Sequence, residues 1–353
     1  MRRQNRRDFL AAVSGATTAA LAGCLGSGTS GQSAAPDETQ ATASFFVFGD
    51  VTSHVAGEAA SAETLVPLGQ HGHGWEPGPD VQGRILESTV FVHGMRDFQP
   101  WADDIVASLE ADGSDVVSVD ISADVSLHEV GDDGHAHDDD DEDAHHDEDN
   151  HEDDSSGDDH HDDTVTDSHE EHDTGSVDPH FWMDPQRVAT ATGTVRDALQ
   201  AVDAENTDAY ADNAERYLTA LADLDAAFEE GLESRERDVI LVAGHDAYGY
   251  LADRYDFDVV ALTGLSPDDE PSPRDIERAQ ATIEEHGIRH VLADPLESDR
   301  AATQLVAETD AEAVLPLTSI PGLTQEWVEQ DWGYVDIVRE INLPSLRTAL
   351  DAR

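Results

Sequence analysis

The chain contains no lysine. All 19 of its basic residues are arginine, set against 78 acids, for a formal net charge of −59 over 353 residues. Such a field repels phosphates and excludes nucleic acid as a partner. It suits solubility at very high salt, where screening removes self-repulsion, and it reads as a halophile adaptation. Cysteine is almost absent as well: Cys24 is the only one. No intrachain disulfide can form, and no further thiol is available for metal binding or covalent catalysis. A long apolar run is also missing. The stretch from Leu10 to Leu25 falls short of the about 20 residues that a membrane span needs.

The N-terminus reads as a targeting segment rather than structure. Arg6-Arg7-Asp8-Phe9-Leu10 resembles a twin-arginine export motif, and Leu21-Ala22-Gly23-Cys24 looks like a lipobox. Residues 1–23 are then the signal, and Cys24 is the lipidated anchor to the outer face of the membrane. The alternative is a short anchor left uncleaved. Residues 24–43, rich in Gly, Ser, Thr and Ala, read as a flexible linker.

One segment is made of almost nothing but acid and imidazole. Between Glu129 and Asp173 there are 23 acids, nine histidines and no arginine. No packed core can form from that composition, so residues 128–176 read as a disordered insert. Its histidines (His135, His137, His145, His146, His151, His160, His161, His169 and His172) can ligate divalent metals weakly, alongside the carboxylates. Without those acids, 55 remain against 19 arginines, so the folded part is acidic too.

The remainder alternates strands and helices at a spacing that implies parallel sheets with helices on their faces. The fold class is α/β. Residues 44–206 read as an N-terminal βα lobe, 207–236 as a long connecting helix and 237–353 as a C-terminal βα lobe. Phe45-Phe46-Val47-Phe48 and Leu65-Val66-Pro67 are expected to be the first two strands. Further strands are expected at Thr89–His93, Val116–Ile121, Val239–Ala243, Val259–Leu262, His290–Ala293 and Ala313–Pro316. A terminal helix from Tyr334 to Ala352 is expected to break at Pro344.

Three histidines sit in loops after strands or before a helix: His73, His180 and His245. Ligands of open α/β sheets gather at the carboxyl ends of strands. Zn²⁺ accepts neutral imidazole readily, usually in four-coordinate sites. Three such loops meeting between the lobes would make a metal site. A lone loop histidine is more often a surface or capping residue than a ligand, and His54, His93, His286 and His290, inside expected elements, are read as structural or surface. Trp75, Trp182 and Tyr248 read as packing that keeps water out.

Here the residues resemble a family, the zinc and manganese solute-binding lipoproteins of ABC importers. Leu65-Val-Pro-Leu-Gly followed by His73-Gly-Trp-Glu-Pro is similar to the family's first ligand loop. Asp178-Pro-His-Phe-Trp-Met-Asp-Pro185 is similar to the second ligand motif. Gly244-His-Asp-Ala-Tyr-Gly-Tyr-Leu251 is similar to the third. The resemblance covers Ser44 to Leu350 apart from the insert, and with the composition it suggests a haloarchaeon-like source. It implies a metal site in the interlobe cleft, ABC permease and ATPase subunits as partners, and Zn²⁺ as the bound substrate. One departure stands out. Members of the family often supply a fourth, acidic ligand near the last strand of the second lobe, where this chain reads Leu317-Thr318-Ser319-Ile320. His71, Glu76, Asp331 or water would then close the sphere. Losing a carboxylate ligand favours zinc over manganese, which prefers hard oxygen.

Three other functions compete: a receptor for manganese or another divalent metal, an extracellular metal buffer or adhesin, and a zinc-dependent hydrolase. A hydrolase would need a general base, for which Glu76 or Asp246 is the candidate.

The composition of the insert sets the first test. Removing residues 129–173 should leave folding intact and keep one tight zinc equivalent while several weak ones disappear. Loss of the tight equivalent would make the tract itself the site. Calorimetric titration of the intact and shortened chains distinguishes these outcomes.

Overall fold

The computed structural model describes residues 39–67, 69–70, 72, 75–129, 177–267 and 269–353. Cys24, His71, His73 and the nine histidines of the acidic tract lie outside the described residues. Two four-stranded parallel sheets form the frame. In the first, β1 (Gln40–Ala43), β2 (Ser61–Thr64), β3 (Val90–His93) and β4 (Val117–Asp120) lie in the order β2-β1-β3-β4. In the second, β5 (Val239–Val242), β6 (Asp258–Ala261), β7 (His290–Ala293) and β8 (Ala313–Pro316) repeat that order as β6-β5-β7-β8. In each sheet the winding direction reverses between the first and third strands in sequence. That switch point leaves a crevice at the strands' carboxyl ends.

The helices are α1 (Phe46–Ala56), α2 (Val81–Glu87), α3 (Pro100–Asp112), α4 (Pro185–Val202), α5 (Thr207–Leu232), α6 (Gly249–Tyr255), α7 (Pro273–His286), α8 (Arg300–Glu308), α9 (Gln325–Glu329), α10 (Tyr334–Ile337) and α11 (Leu343–Ala349). Helix α5 joins the lobes. Its buried residues Tyr210, Ala214, Tyr217, Leu221, Leu224 and Phe228 recur every three or four positions, a single apolar stripe. Helix α4 starts where Asp184 caps it, the carboxylate accepting from the Gln186 amide at 2.8 Å, with Pro185 in the first turn.

The first lobe departs from the sequence reading at its start. Phe45-Phe46-Val47-Phe48 is not a strand; Phe45 precedes α1, and Val47, Phe48, Val51 and Val55 line the helix's buried face. A four-residue apolar run does not distinguish the two states. The first strand is Gln40–Ala43, at the end of the stretch expected to be linker. Its Ala-Thr-Ala composition looks like linker, and pairing on both sides makes it a central strand. The second strand is Ser61–Thr64, four residues before Leu65, although the Leu65 amide still bonds Ala43 at 2.9 Å and extends the ladder. At the far end, Pro344 falls in the first turn of α11, and a π-helical turn at Val338–Asn342 absorbs the break.

His128 was expected to belong to the disordered insert. Instead it is part of the folded body. Glu129 bridges Val177 in antiparallel fashion, and the Asp178 amide bonds the His128 carbonyl at 3.0 Å. The two ends of the tract therefore emerge side by side. The His128 ring stacks on Tyr250 with centroids 4.0 Å apart, and the Tyr250 hydroxyl accepts from the His128 amide and donates to the Asp178 carbonyl.

Asp225 ties α5 to both neighbouring helices. Its buried carboxylate accepts from Arg254 at 2.6 and 2.9 Å, from the Tyr255 hydroxyl at 2.9 Å and from Gln186 at 2.8 Å. Burial alone would raise its pKa, but hydrogen bonds from Arg254, Gln186 and Tyr255 outweigh burial and hold it below the usual carboxylate range. A depressed folded-state pKa means stability that is present above the unfolded value of about 3.9 and is lost as pH falls through the folded value. Asp225→Asn should therefore lower stability at pH 7 by roughly 1–3 kcal/mol. That gap should close in acid below about pH 4. Denaturant melts of both proteins across that range check it.

Candidate metal centre

His180 and His245 come from different lobes and meet. His180 stands just before a 3₁₀ turn at Phe181–Met183 and is fully buried. His245 follows β5 at its carboxyl end and is 4% exposed. Their ring centroids are 5.3 Å apart. Two imidazoles on one tetrahedral Zn²⁺, bonded at about 2.0–2.1 Å, place their ring centres roughly 5 Å apart. The observed spacing fits a shared ion.

Each ring is also backed by a carboxylate. Asp178 Oδ1 accepts from both the His180 backbone amide at 2.9 Å and its Nδ1 at 2.8 Å. Glu297 Oε1 lies 3.1 Å from His245 Nδ1. An ionised carboxylate can only accept, so in His180 Nδ1 carries the proton and Nε2 is the atom with a lone pair to give. This is the carboxylate–histidine arrangement that orients metal-bound imidazole and raises its basicity. Gly244 makes room for it: a Cβ there would stand 3.1 Å from Glu297 Oε2.

One side of the pair is closely packed. Trp182 is fully buried among Phe45, Phe48, Phe98 and Phe181. Its Nε1 donates to the Ser319 carbonyl at 2.8 Å, and its own carbonyl accepts from the Tyr334 hydroxyl at 2.6 Å. Tyr248 is buried and donates to the Leu317 carbonyl at 3.0 Å. These are the packing roles expected of Trp182 and Tyr248, and Trp75 likewise packs edge-on against Trp101. Leu317–Ile320, where a fourth ligand was sought, is wholly buried and committed to structure. Asn342 brackets Thr318, and Asp294 accepts from the Ser319 amide at 2.9 Å. Burial raises the Asp294 carboxyl above its ordinary range, against the pull of the Leu296 amide, and the Glu297 charge adds to the rise.

The other candidates fall elsewhere. Glu76 and Asp331 are exposed, the latter in a left-handed turn after α9. Asp246, the possible hydrolase base, lines an acidic cleft with Asp253, Asp256 and Asp258. His245 and Glu297 lie instead on a separate cavity of about 660 Å³ at the switch point of the second sheet. His93 is structural, with Nδ1 on the Gly94 carbonyl and Nε2 on Ser118. Among the described residues no group of three or more ligand-type side chains is arranged to hold a metal. The third expected ligand, His73, lies outside them, although its flank is held. The Gly72 amide bonds the Pro321 carbonyl at 3.2 Å, and the Gly72 carbonyl accepts from Gln99 at 3.1 Å.

The profile of the family described as zinc-uptake complex component A, periplasmic, matches residues 42–349. The chain belongs to that family. It is 26% identical over 331 residues to the high-affinity zinc uptake system protein ZnuA of Bacillus subtilis, covering 94% of this chain and 93% of that one. It is 26% identical over 327 residues to the zinc-binding lipoprotein AdcA of Streptococcus pneumoniae, covering 91% of this chain and 58% of that longer protein. Among solved structures, the Zn(II)-bound ZnuA-like domain of S. pneumoniae AdcA superposes with a TM-score of 0.68 at 23% identity, covering 89% of this chain and 99% of that domain. The metal-dependent lipoprotein YcdH of B. subtilis does so at 0.68 and 22%, covering 89% and 99%. At these identities the structures speak for the fold.

Two carboxylates beside the histidines are absent from the expected site residues. Asp178 belongs to the Asp178–Pro185 motif, in which it has no expected role. Glu297 follows β7, whereas the missing acid was sought after β8. Its signal was an acid just past a strand's carboxyl end, in Asp294-Pro-Leu-Glu297. Glu297→Gln should keep the fold and weaken tight zinc binding by roughly tenfold or more, since partners of metal-bound histidine typically contribute 10–100-fold. Chelator-competition titration measures this, and an unchanged affinity would remove Glu297 from the site.

Proposed function

We propose that the protein is an extracytoplasmic receptor that captures Zn²⁺ between its lobes and hands it to an ABC transporter permease for high-affinity uptake, with an ATPase subunit driving transport. The observation that carries this reading is the pair of carboxylate-backed imidazoles, one from each lobe, in a member of a zinc-uptake family. His73, His180 and His245 are the ligands, and water closes the sphere. Imidazole donors without a direct carboxylate favour zinc over manganese. Of the two candidate bases for a hydrolase, Glu76 is on the surface, and Asp246, although close enough to Asp178 and His245 to feel their charges, lines a different cleft.

Export by the twin-arginine signal and lipidation of Cys24 hold the receptor on the outer face of the membrane. The acidic histidine tract collects zinc there. It leaves the body through the His128–Asp178 neck, two residues from His180, so metal gathered by the tract is released close to the tight site. The lysine-free surface keeps the receptor soluble in the concentrated salt of a halophile's surroundings.

His180→Ala, made in the chain lacking residues 129–173, should weaken zinc binding by about tenfold or more, as a direct ligand is lost. An unchanged affinity would sink the assignment. In the unaltered chain zinc affinity should fall as pH drops, because protons compete for the ligand nitrogens. A flat profile between pH 5 and 8, followed by competition with a fluorescent chelator, would contradict imidazole ligation.

A further inference from the structure

His245 and the start of α6 form one short, anchored segment of the second lobe. Ala247 and Tyr248 within it are buried. The Asp246 amide bonds the Gly264 carbonyl at 2.9 Å, and the Tyr248 hydroxyl donates to the Leu317 carbonyl at 3.0 Å. Tyr250, in the first turn of α6, reaches from this segment into the first lobe. It is fully buried. Its ring stacks on that of His128, and the Arg187 guanidinium carbon lies 4.7 Å from the ring centre.

The Tyr250 hydroxyl lies 2.8 Å from the His128 amide and 2.7 Å from the Asp178 carbonyl. An amide can only donate, so the oxygen accepts there and its single proton goes to the carbonyl. Burial pushes the hydroxyl up to about 12, so it keeps that proton at neutral pH. Asp178 is thereby held along its length. Its amide donates to the His128 carbonyl at 3.0 Å, and its carbonyl accepts from Tyr250. Its Oδ1 accepts from the His180 amide and from Nδ1 of the His180 ring. The second carboxylate oxygen faces α6 as well: a Cβ on Gly249 would stand 3.4 Å from Asp178 Oδ2. The carboxylate that orients His180 therefore takes its own position from the helix that follows His245.

We propose that Tyr250 is a positioning residue of the metal site: its hydroxyl fixes the Asp178 backbone, and through the Asp178 carboxylate it sets the aim of the His180 ring at the ion shared with His245. One segment of the second lobe then carries one imidazole and aims the other. The proposal rests on His180 being a zinc ligand. Drawing the lobes apart withdraws the hydroxyl from Asp178 and loosens His180, so lobe closure and tight binding are coupled at this bond.

The test is a double-mutant cycle on the full chain, reading the tightest zinc equivalent by chelator competition and the metal-free melting temperature alongside. Tyr250→Phe keeps the stacked ring and deletes only the hydroxyl. It should weaken tight binding by roughly two- to tenfold, the worth of a neutral hydrogen bond. Asp178→Ala should weaken binding by about tenfold or more, and adding Tyr250→Phe to it should cost nothing further. In the metal-free chain the Nδ1 proton of His180, followed by NMR with labelled histidine, should exchange with water faster in Tyr250→Phe. If Tyr250→Phe does not fold, Gly249→Val replaces it in the cycle: it crowds the Asp178 carboxylate from the same helix, leaves the hydroxyl in place and should weaken binding in the same non-additive way. Equal losses with and without the Asp178 carboxylate, or no loss and unchanged exchange, would overturn the proposal and leave Tyr250 a core residue. Unchanged binding in His180→Ala would instead show that the ligand assignment had failed, and the proposal with it.

Discussion

The architecture turns on holding two imidazoles from two lobes 5.3 Å apart, with a carboxylate beside each: Asp178 hydrogen-bonded to His180 Nδ1 and Glu297 3.1 Å from His245 Nδ1. Bringing imidazole donors together is unfavourable when both are protonated, because like charges then face each other. Asp178 and Glu297 keep each ring oriented, and Trp182 and the surrounding phenylalanines keep water away. Asp178 is buried and Glu297 is partly exposed, and a divalent cation between the rings would balance their charge.

The rest of the fold serves that spacing. Trp182, two residues from His180, is bonded to Ser319 and Tyr334 of the second lobe. Tyr250, five residues after His245, is bonded to Asp178 and His128 of the first. Asp225 fastens α5 to α6 through Arg254 and Tyr255 and to α4 through Gln186. The Trp182 and Tyr250 ties each run from near one of the two histidines into the opposite lobe, so a change in interlobe geometry is felt at both imidazoles. The same ties place the neck of the acidic tract beside His180.

Much of this was legible in the sequence, for physical reasons. The strands of the second lobe are short β-branched runs between clear turn signals, and His290–Ala293 and Ala313–Pro316 have the expected bounds. Asp184-Pro185 announces the start of α4 through capping chemistry that is local. The first lobe was harder. Gln40–Ala43 has no intrinsic strand character and is a strand only because β2 and β3 pair with it. Phe45–Phe48 is apolar in either state, and packing alone decided for helix. In the candidate site, the sequence singled out His180 and His245, which lie close together, because loops after strands and before helices are where ligands collect. The carboxylates beside them, Asp178 and Glu297, were not singled out, since which side chain faces which nitrogen leaves no trace in chain spacing.

The central claim is that this receptor binds zinc through imidazole. X-ray absorption on the protein carrying a single equivalent of zinc tests it most directly. The account predicts a four-coordinate ion with three imidazole nitrogens at about 2.0–2.1 Å and one further light ligand. A shell dominated by carboxylate oxygen, with fewer than two imidazoles, would contradict it and move the tight site to the acidic tract.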